Sequence, residues 1–441
     1  MLRKSVSLFM FFIIIISGCS AEKEKPSNFN LKVLAWNETI FNRQYGSYFL
    51  ATHPDANLEV ISIIETMDPE TNVTQTIENL INKESPDVVS VPMESYLVLR
   101  DSGKLSSLTK LVQSKGFDLT AFSPAVIEFL QDEQGQLYGL TPVFTGQALY
   151  YNKDLFDRYG ITYPTDQMTW DELFKLAQRF PEENGNNASQ YGLYHKDASN
   201  PFLMALKIGE SSGLSFSNNE QITLYTESWS QIFKNVTDCF KTNVCYDPNG
   251  IKSNDSTRIE QVERSAYPFL IGNIAMAIDE STLYKTLTNT ARQQAPVDFD
   301  WGTVSLPVSA DHPNTGNSVY MNEIFAVPTV ANEPDGAWEF LQYVSGENYA
   351  KLLPQINTVD LPTRPNLETM DEREKSFYHI EHVNITLINQ MRKFPLAFLP
   401  KIDEISQKHM GAIMSEQHTV RDALQSMEEE IEFTLEQLDA D

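Results

Sequence analysis

Cysteine is scarce in this chain: three in 441 residues exclude a scaffold built on disulfides and leave an apolar core to hold the fold. Glycine and proline are also few, at 19 and 22, and 41% hydrophobic with 21% charged residues is a balance that excludes long disordered tracts. Basic residues are outnumbered, 33 Lys and Arg against 60 Asp and Glu, and the formal net charge of −27 repels phosphate backbones. Nucleic acid is therefore not expected as a partner. Long apolar runs are missing as well: the longest, Leu8 to Ile16, has nine residues, where a membrane-spanning helix needs about 20. What is present is chain enough for two or three domains of about 150 residues each.

That nine-residue run follows Arg3 and Lys4 and ends in Ile16-Ser17-Gly18-Cys19. A positive start, a short apolar stretch and small residues make a secretory signal over residues 1–18. The last four residues resemble the bacterial lipobox, whose cysteine is acylated after cleavage. Cys19 is thus the expected lipid attachment, residues 19–30 the anchor and tether, and the extracytoplasmic face of the cell membrane the expected location. In that oxidising setting Cys239 and Cys245 fit a local disulfide and fit two reduced thiols equally well.

Hydrophobic periodicity supplies the coarse organisation. Leu31–Trp36, Leu58–Ile64 and Asp87–Val91 read as strands. Between them Phe41, Tyr45, Tyr48 and Phe49, then Val73, Ile77, Leu80 and Ile81, recur at helical spacing. Strands alternating with helices build right-handed crossovers and a parallel sheet, so the fold class is α/β. Further strands are expected at Ala148–Tyr151, Ala275–Ile278, Thr303–Leu306 and Ile324–Val327, and helices from about Asp335 and from Val420. Thr169-Trp170-Asp171-Glu172 is a capping box, followed by the apolar stripe Trp170, Leu173, Phe174, Ala177 and Phe180. In the last helix Glu428, Glu429, Glu430 and Glu432 read as a solvated face.

Several blocks occur in a telling order. Pro86-Asp87-Val88-Val89 precedes Gly103-Lys104-Leu105, and Tyr138-Gly139-Leu140-Thr141-Pro142 precedes Leu149–Phe156 and Thr169–Leu173. Then come Phe269–Met276, Trp301-Gly302-Thr303, Ala337–Leu341 and Leu361-Pro362-Thr363-Arg364. From about residue 30 onward the chain thereby resembles the extracellular solute-binding proteins of the maltodextrin-binding kind, receptor subunits of ABC importers. The resemblance implies a two-lobe, type II periplasmic-binding-protein-like fold with the ligand in the cleft between lobes. It places the first lobe at 30–143 plus 281–322 and the second at 144–280 plus 323–441. It further implies a monomer with no cofactor and no bound metal, an ABC permease as partner, and a small polar solute such as an oligosaccharide held by hinge closure.

In open α/β sheets ligands lie beyond the carboxyl ends of strands. The candidate contacts are Trp36, Asn37 and Glu38 after the first strand, and Glu94 and Tyr96 after the third. Phe144 and Thr145 lie at the crossover, Asp279 and Glu280 after the strand containing Met276, and Tyr320 and Asn322 at the last crossover. Rings suit the apolar faces of sugars, and carboxylates and amides suit their hydroxyls. Lobe packing is the alternative for Trp36, Tyr96 and Phe144, and a helix N-terminal role is the alternative for Glu38, Glu94 and Glu280. Where the family carries small residues and glycines, this chain has Asp279-Glu280 and Asn322-Glu323, which favours a neutral or cationic solute over an anion.

The rival reading is a secreted lipoprotein enzyme acting on carbohydrate, for which paired carboxylates stay open as an alternative. Gly209-Glu210-Ser211-Ser212-Gly213 matches a nucleophile elbow, but Phe202–Ile208 before it reads as helix where the elbow needs a strand. His379 and His382 read as a wet helix face rather than a metal site, and Arg364 as a clamp within a lobe.

Overall fold

The computed structural model describes residues 29–67, 72–181, 190–218, 221–249, 266–288, 297–356, 359–395 and 397–440; the expected signal segment 1–18, the expected lipid site Cys19 and all but the end of the expected tether lie outside the described residues. Two sheets organise the chain, and it passes between them three times.

In the first sheet Asn57–Ser62, Asn30–Ala35, Val88–Val91, Ile324–Ala326 and Gly139–Leu140 lie side by side. The first three are parallel, and Ile324–Ala326 runs antiparallel to both of its neighbours. Val88–Val91 is buried along its whole length, Ser90 included, as a strand covered on both faces should be. Asp87, just before it, accepts the Lys32 N–H at 2.9 Å and the N–H groups of Asn332 and Glu333 at 2.8 Å. One carboxylate thus ties the first strand to the start of helix Pro334–Val344. That helix brings Phe340 onto Phe41 and Phe49, which lie on one helical stretch from Glu38 to Thr52 with a π turn over Asn42–Gly46.

The second sheet is ordered Trp301–Val304, Val143–Asn152, Ile274–Glu280, Tyr191–His195. Val143–Asn152 is its axis: Trp301–Val304 and Ile274–Glu280 flank it antiparallel, and its first half also pairs with Val319–Tyr320 and Leu361–Pro362. These pairings correct the expected lobe boundaries. Trp301–Val304, expected in the first lobe, belongs to the second sheet, and Ile324–Ala326, expected in the second, belongs to the first. Motif order records succession along the chain, whereas membership is decided by which sheet edge has unpaired backbone groups to offer. Both sheets are mixed rather than wholly parallel.

Local signals hold where they were strongest. Thr169 and Glu172 form the capping box, with the Thr169 N–H donating to Glu172 Oε2 at 2.8 Å. Trp170 Nε1–H donates at 2.6 Å to the buried Ser211 hydroxyl, and Ser211 ends helix Pro201–Ser211, so Phe202–Ile208 is helical as expected and the elbow match falls at that helix's end. His379 and His382 do not share a helix: His379 follows a turn and lies 3.2 Å from Asp166, and His382 opens a short strand 3.0 Å from Glu128. The acidic run of helix Val420–Ala440 is only partly solvated, since Glu428 accepts the Tyr225 N–H at 2.7 Å and Glu430 accepts Lys408 Nζ at 2.6 Å. Arg364 donates to the Asp118 carbonyl at 3.1 Å over the rings of Phe117 and Phe122.

Cys239 and Cys245 are joined by a disulfide. It fastens the end of helix Glu227–Lys241 beside strand Tyr191–His195, to which Val244 and Tyr246 are hydrogen bonded at 2.8 and 2.9 Å. A bridge closing so short a loop contributes about 2 kcal/mol. Reduction, or Cys239→Ser with Cys245→Ser, should lower stability by that amount in urea denaturation; an unchanged midpoint would show the bridge to be idle.

Candidate functional site

Between the sheets lies a cleft of about 1490 Å³ whose described lining comes from both lobes. Trp36 and Asn37 follow strand Asn30–Ala35, and Glu94 follows Val88–Val91 on the first turn of helix Met93–Asp101. Across the cleft Lys196 follows Tyr191–His195 and Glu280 ends Ile274–Glu280. The site therefore gathers at the carboxyl ends of strands, where helix starts and loops leave room for a ligand. Asn37 caps the helix after the first strand, its Oδ1 accepting the Ile40 N–H at 3.0 Å. Trp36 and Ile40 are each 40% exposed, and Leu399 from the other lobe is 45% exposed. Large apolar side chains held open inside a cleft mark a binding surface rather than a core.

Each cation of the cleft's described lining is paired by the protein itself. Among the described lining residues the cations are Lys196, Lys207 and Arg392. Lys196 pairs with Glu280, Lys207 lies 2.8 Å from Asp197, and Arg392 lies 3.3 Å from Asp101. The carboxylates are likewise held. Glu94 accepts the Tyr320 hydroxyl at 3.0 Å, and Glu210 accepts Asn317 Nδ2 at 2.8 Å and the Leu387 N–H at 2.7 Å. Glu323 accepts the Tyr45 hydroxyl. Burial raises the carboxyls of Glu210 and Glu323 above the ordinary range, and Asp360 adds repulsion at Glu323. A wall of this kind offers hydrogen bonds without a free cation to draw in an anion.

The family of bacterial extracellular solute-binding proteins matches residues 51–376. This chain belongs to that family. Among its relatives is the arabinooligosaccharide-binding protein of Bacillus subtilis, 24% identical over 187 residues, 40% of this chain and 41% of that protein. The chain thus spans under half of that relative's length. The mannitol-binding protein of Pseudomonas aeruginosa is 23% identical over 327 residues, 72% of this chain and 68% of its own. The sugar-binding protein MalE of Xanthomonas citri superimposes with a TM-score of 0.67 at 15% identity, covering 93% of this chain and 98% of that one. Such likeness shows a shared two-lobe fold.

In this solute-binding protein the residues expected at the site divide cleanly. Trp36, Asn37, Glu94, Thr145, Glu280, Tyr320 and Asn322 line the cleft. Glu38 is exposed in the first turn of its helix and is not among the described lining residues. Tyr96 and Phe144 are corrections, for both are buried packing residues. The Tyr96 hydroxyl donates to the Leu130 carbonyl at 2.6 Å, and Phe144 sits edge-on to Tyr378. The reason is periodicity: on a helix positions 94 and 96 lie on opposite sides, and on a strand 144 and 145 point to opposite faces. The same alternation sends Glu280 to the cleft and Asp279 inward. Gln44, Lys196, Glu210, Asn317, Leu387, Arg392 and Leu399 line the cleft without having been expected. Of these only Lys196, directly after a strand, carries a local signal that could have found it.

Asp279 is buried, with Oδ1 accepting the Glu280 N–H at 2.8 Å and Oδ2 without a hydrogen-bond partner among the described residues. Burial pushes this carboxyl up to about 7, against the pull of Lys196 and with repulsion from Asp197. The folded state therefore keeps a proton that the unfolded chain releases, and stability falls as pH rises from about 4 through about 7. Asp279→Asn should remove that fall, gaining on the order of a few kcal/mol at pH 8 and little at pH 4 in paired urea titrations. Equal effects at both pH values would refute the buried proton.

Proposed function

We propose that this protein is the lipid-tethered receptor of an ABC importer, taking a small neutral polar solute, most simply an oligosaccharide, between its lobes by hinge closure. The observation that carries this reading is the exposed Trp36 ring beside Asn37, in a cleft whose cations are already paired. The ring offers an apolar face to a sugar, and Asn37, Thr145, Gln147 and Asn322 offer donors and acceptors to its hydroxyls. At about 1490 Å³ the cleft exceeds the ~300–1,000 Å³ of ordinary small-molecule pockets, which suits several sugar units better than one. The names of the arabinooligosaccharide- and mannitol-binding relatives point to the same class of solute.

A solute touching both lobes gains contacts only when they approach, so binding favours the closed form that a permease can recognise. The lipid at Cys19 keeps a monomeric receptor beside its permease and raises its effective concentration there. No catalytic role is assigned.

Thermal-shift and calorimetric titration against arabino-oligosaccharides, maltodextrins and mannitol should find a solute that raises the melting temperature and is recovered intact. Trp36→Ala should weaken that binding about tenfold or more, and turnover of a glycoside by the purified protein would overturn the receptor reading. Cys19→Ala should move the protein from the membrane fraction to the soluble extracytoplasmic fraction, and retention on the membrane would refute the anchor.

A further inference from the structure

Helix Met93–Asp101 borders the cleft, and its Glu94, Val98 and Asp101 recur four and three residues apart, which puts them on one face. Both ends of that face are bonded to the other lobe. Glu94 accepts the Tyr320 hydroxyl at 3.0 Å on each carboxylate oxygen, and Asp101 Oδ2 accepts Arg392 Nη2 at 3.3 Å. Tyr320 belongs to a strand of the second sheet, and Arg392 ends helix Thr386–Met391, which packs on helix Pro201–Ser211. The two attachments stand about 10 Å apart along the helix.

The ionic end is set up in advance on both sides. Arg100 Nε donates to Asp101 Oδ1 at 3.0 Å while its Nη1 is held by the carbonyls of Phe129 and Gln131, at 3.3 and 2.8 Å. Arg392 Nη1 donates to Asn389 Oδ1 at 3.2 Å. Each partner is therefore aimed by its own lobe, and little side-chain freedom is left to lose when the pair forms.

We infer that helix Met93–Asp101 is a closure staple: Arg392 and Tyr320 are positioning residues that hold the second lobe against it, so part of the drive to close is built into the protein rather than supplied by the solute. The inference rests on the hinge reading of the cleft. With side chains 22% and 49% exposed, the Arg392–Asp101 pair belongs to the class that shifts an equilibrium about 1.5- to 5-fold and is screened by salt. Solute affinity should follow the closed fraction by the same factor.

The test is an interlobe distance distribution by pulsed electron paramagnetic resonance, on full-length Cys19→Ala protein labelled at Lys83→Cys and Lys401→Cys. Both positions are exposed, and Cys239 and Cys245 are bonded and take no label. Arg392→Gln and Asp101→Asn should each lower the ratio of short to long distances about 1.5- to 5-fold at low salt and leave it unchanged in 1 M NaCl. The double variant should shift no further than either single one, as a shared contact requires. Two populations whose ratio is unchanged in both single variants would overturn the staple alone. One distance common to every variant would overturn the hinge reading and the staple with it.

Discussion

The ladder along Val143–Asn152 is the interaction on which the rest of this structure depends. Its ten residues receive Leu361–Pro362, Val319–Tyr320, Ile274–Glu280 and Trp301–Val304, so segments more than two hundred positions apart meet on one strand. Buried backbone groups must be paired, and a strand that offers both edges over its whole length decides which later segments can lie beside it. Three consequences follow from that one demand. The chain must leave the first sheet just before this strand, it must return to that sheet after Val319–Tyr320, and it must cross again to bring in Leu361–Pro362. Those crossings bring Thr145, Gln147, Tyr320, Asn322, Glu323 and Asp360 to the cleft. The crossings between sheets and the cleft wall are thus made by the same backbone pairing, and Gly146 shows how closely it is packed: an added Cβ would meet Leu361 and Phe377 at 3.0–3.2 Å.

Electrostatics shape the cleft in a different way from the chain as a whole. The net charge of −27 belongs to the surface and keeps polyanions at a distance. Inside the cleft the Lys196, Lys207 and Arg392 side chains are neutralised locally, and Glu210 and Glu323 are biased toward protonation by burial. The result is a polar wall whose carboxylates outnumber its cations six to three among the described lining residues, beside the apolar surface of Trp36, Ile40 and Leu399. Such a wall presents hydrogen-bonding groups of fixed direction rather than a free cation. The same pairing reaches across the lobes at Arg392 and Asp101, where a contact that neutralises the site also draws it shut.

Much of this was legible in the chain. The strands of the first lobe, the Thr169–Glu172 cap and the helix from Val420 follow from periods of 2 and 3.6 and from capping chemistry, which act within one or two turns. Trp36, Asn37, Glu94 and Glu280 were legible because they stand at or just after the carboxyl ends of strands. Tyr96 and Phe144 were misread because position after a strand does not tell which side a residue faces. Leu387, Arg392 and Leu399 were illegible because they come from the last crossing, where helices rather than strand ends approach the cleft.

The sequence by itself determined an acidic α/β chain, its main elements, and the strand ends that line the cleft, because each of these is encoded by neighbours along the chain. Only the tertiary structure decided which sheet receives Trp301–Val304 and which receives Ile324–Ala326, which carboxylate neutralises each lysine of the cleft, and that Cys239 meets Cys245 beside the edge strand. Those outcomes are settled by backbone pairing and charge pairing between residues that only folding brings together, and local periodicity carries no trace of them.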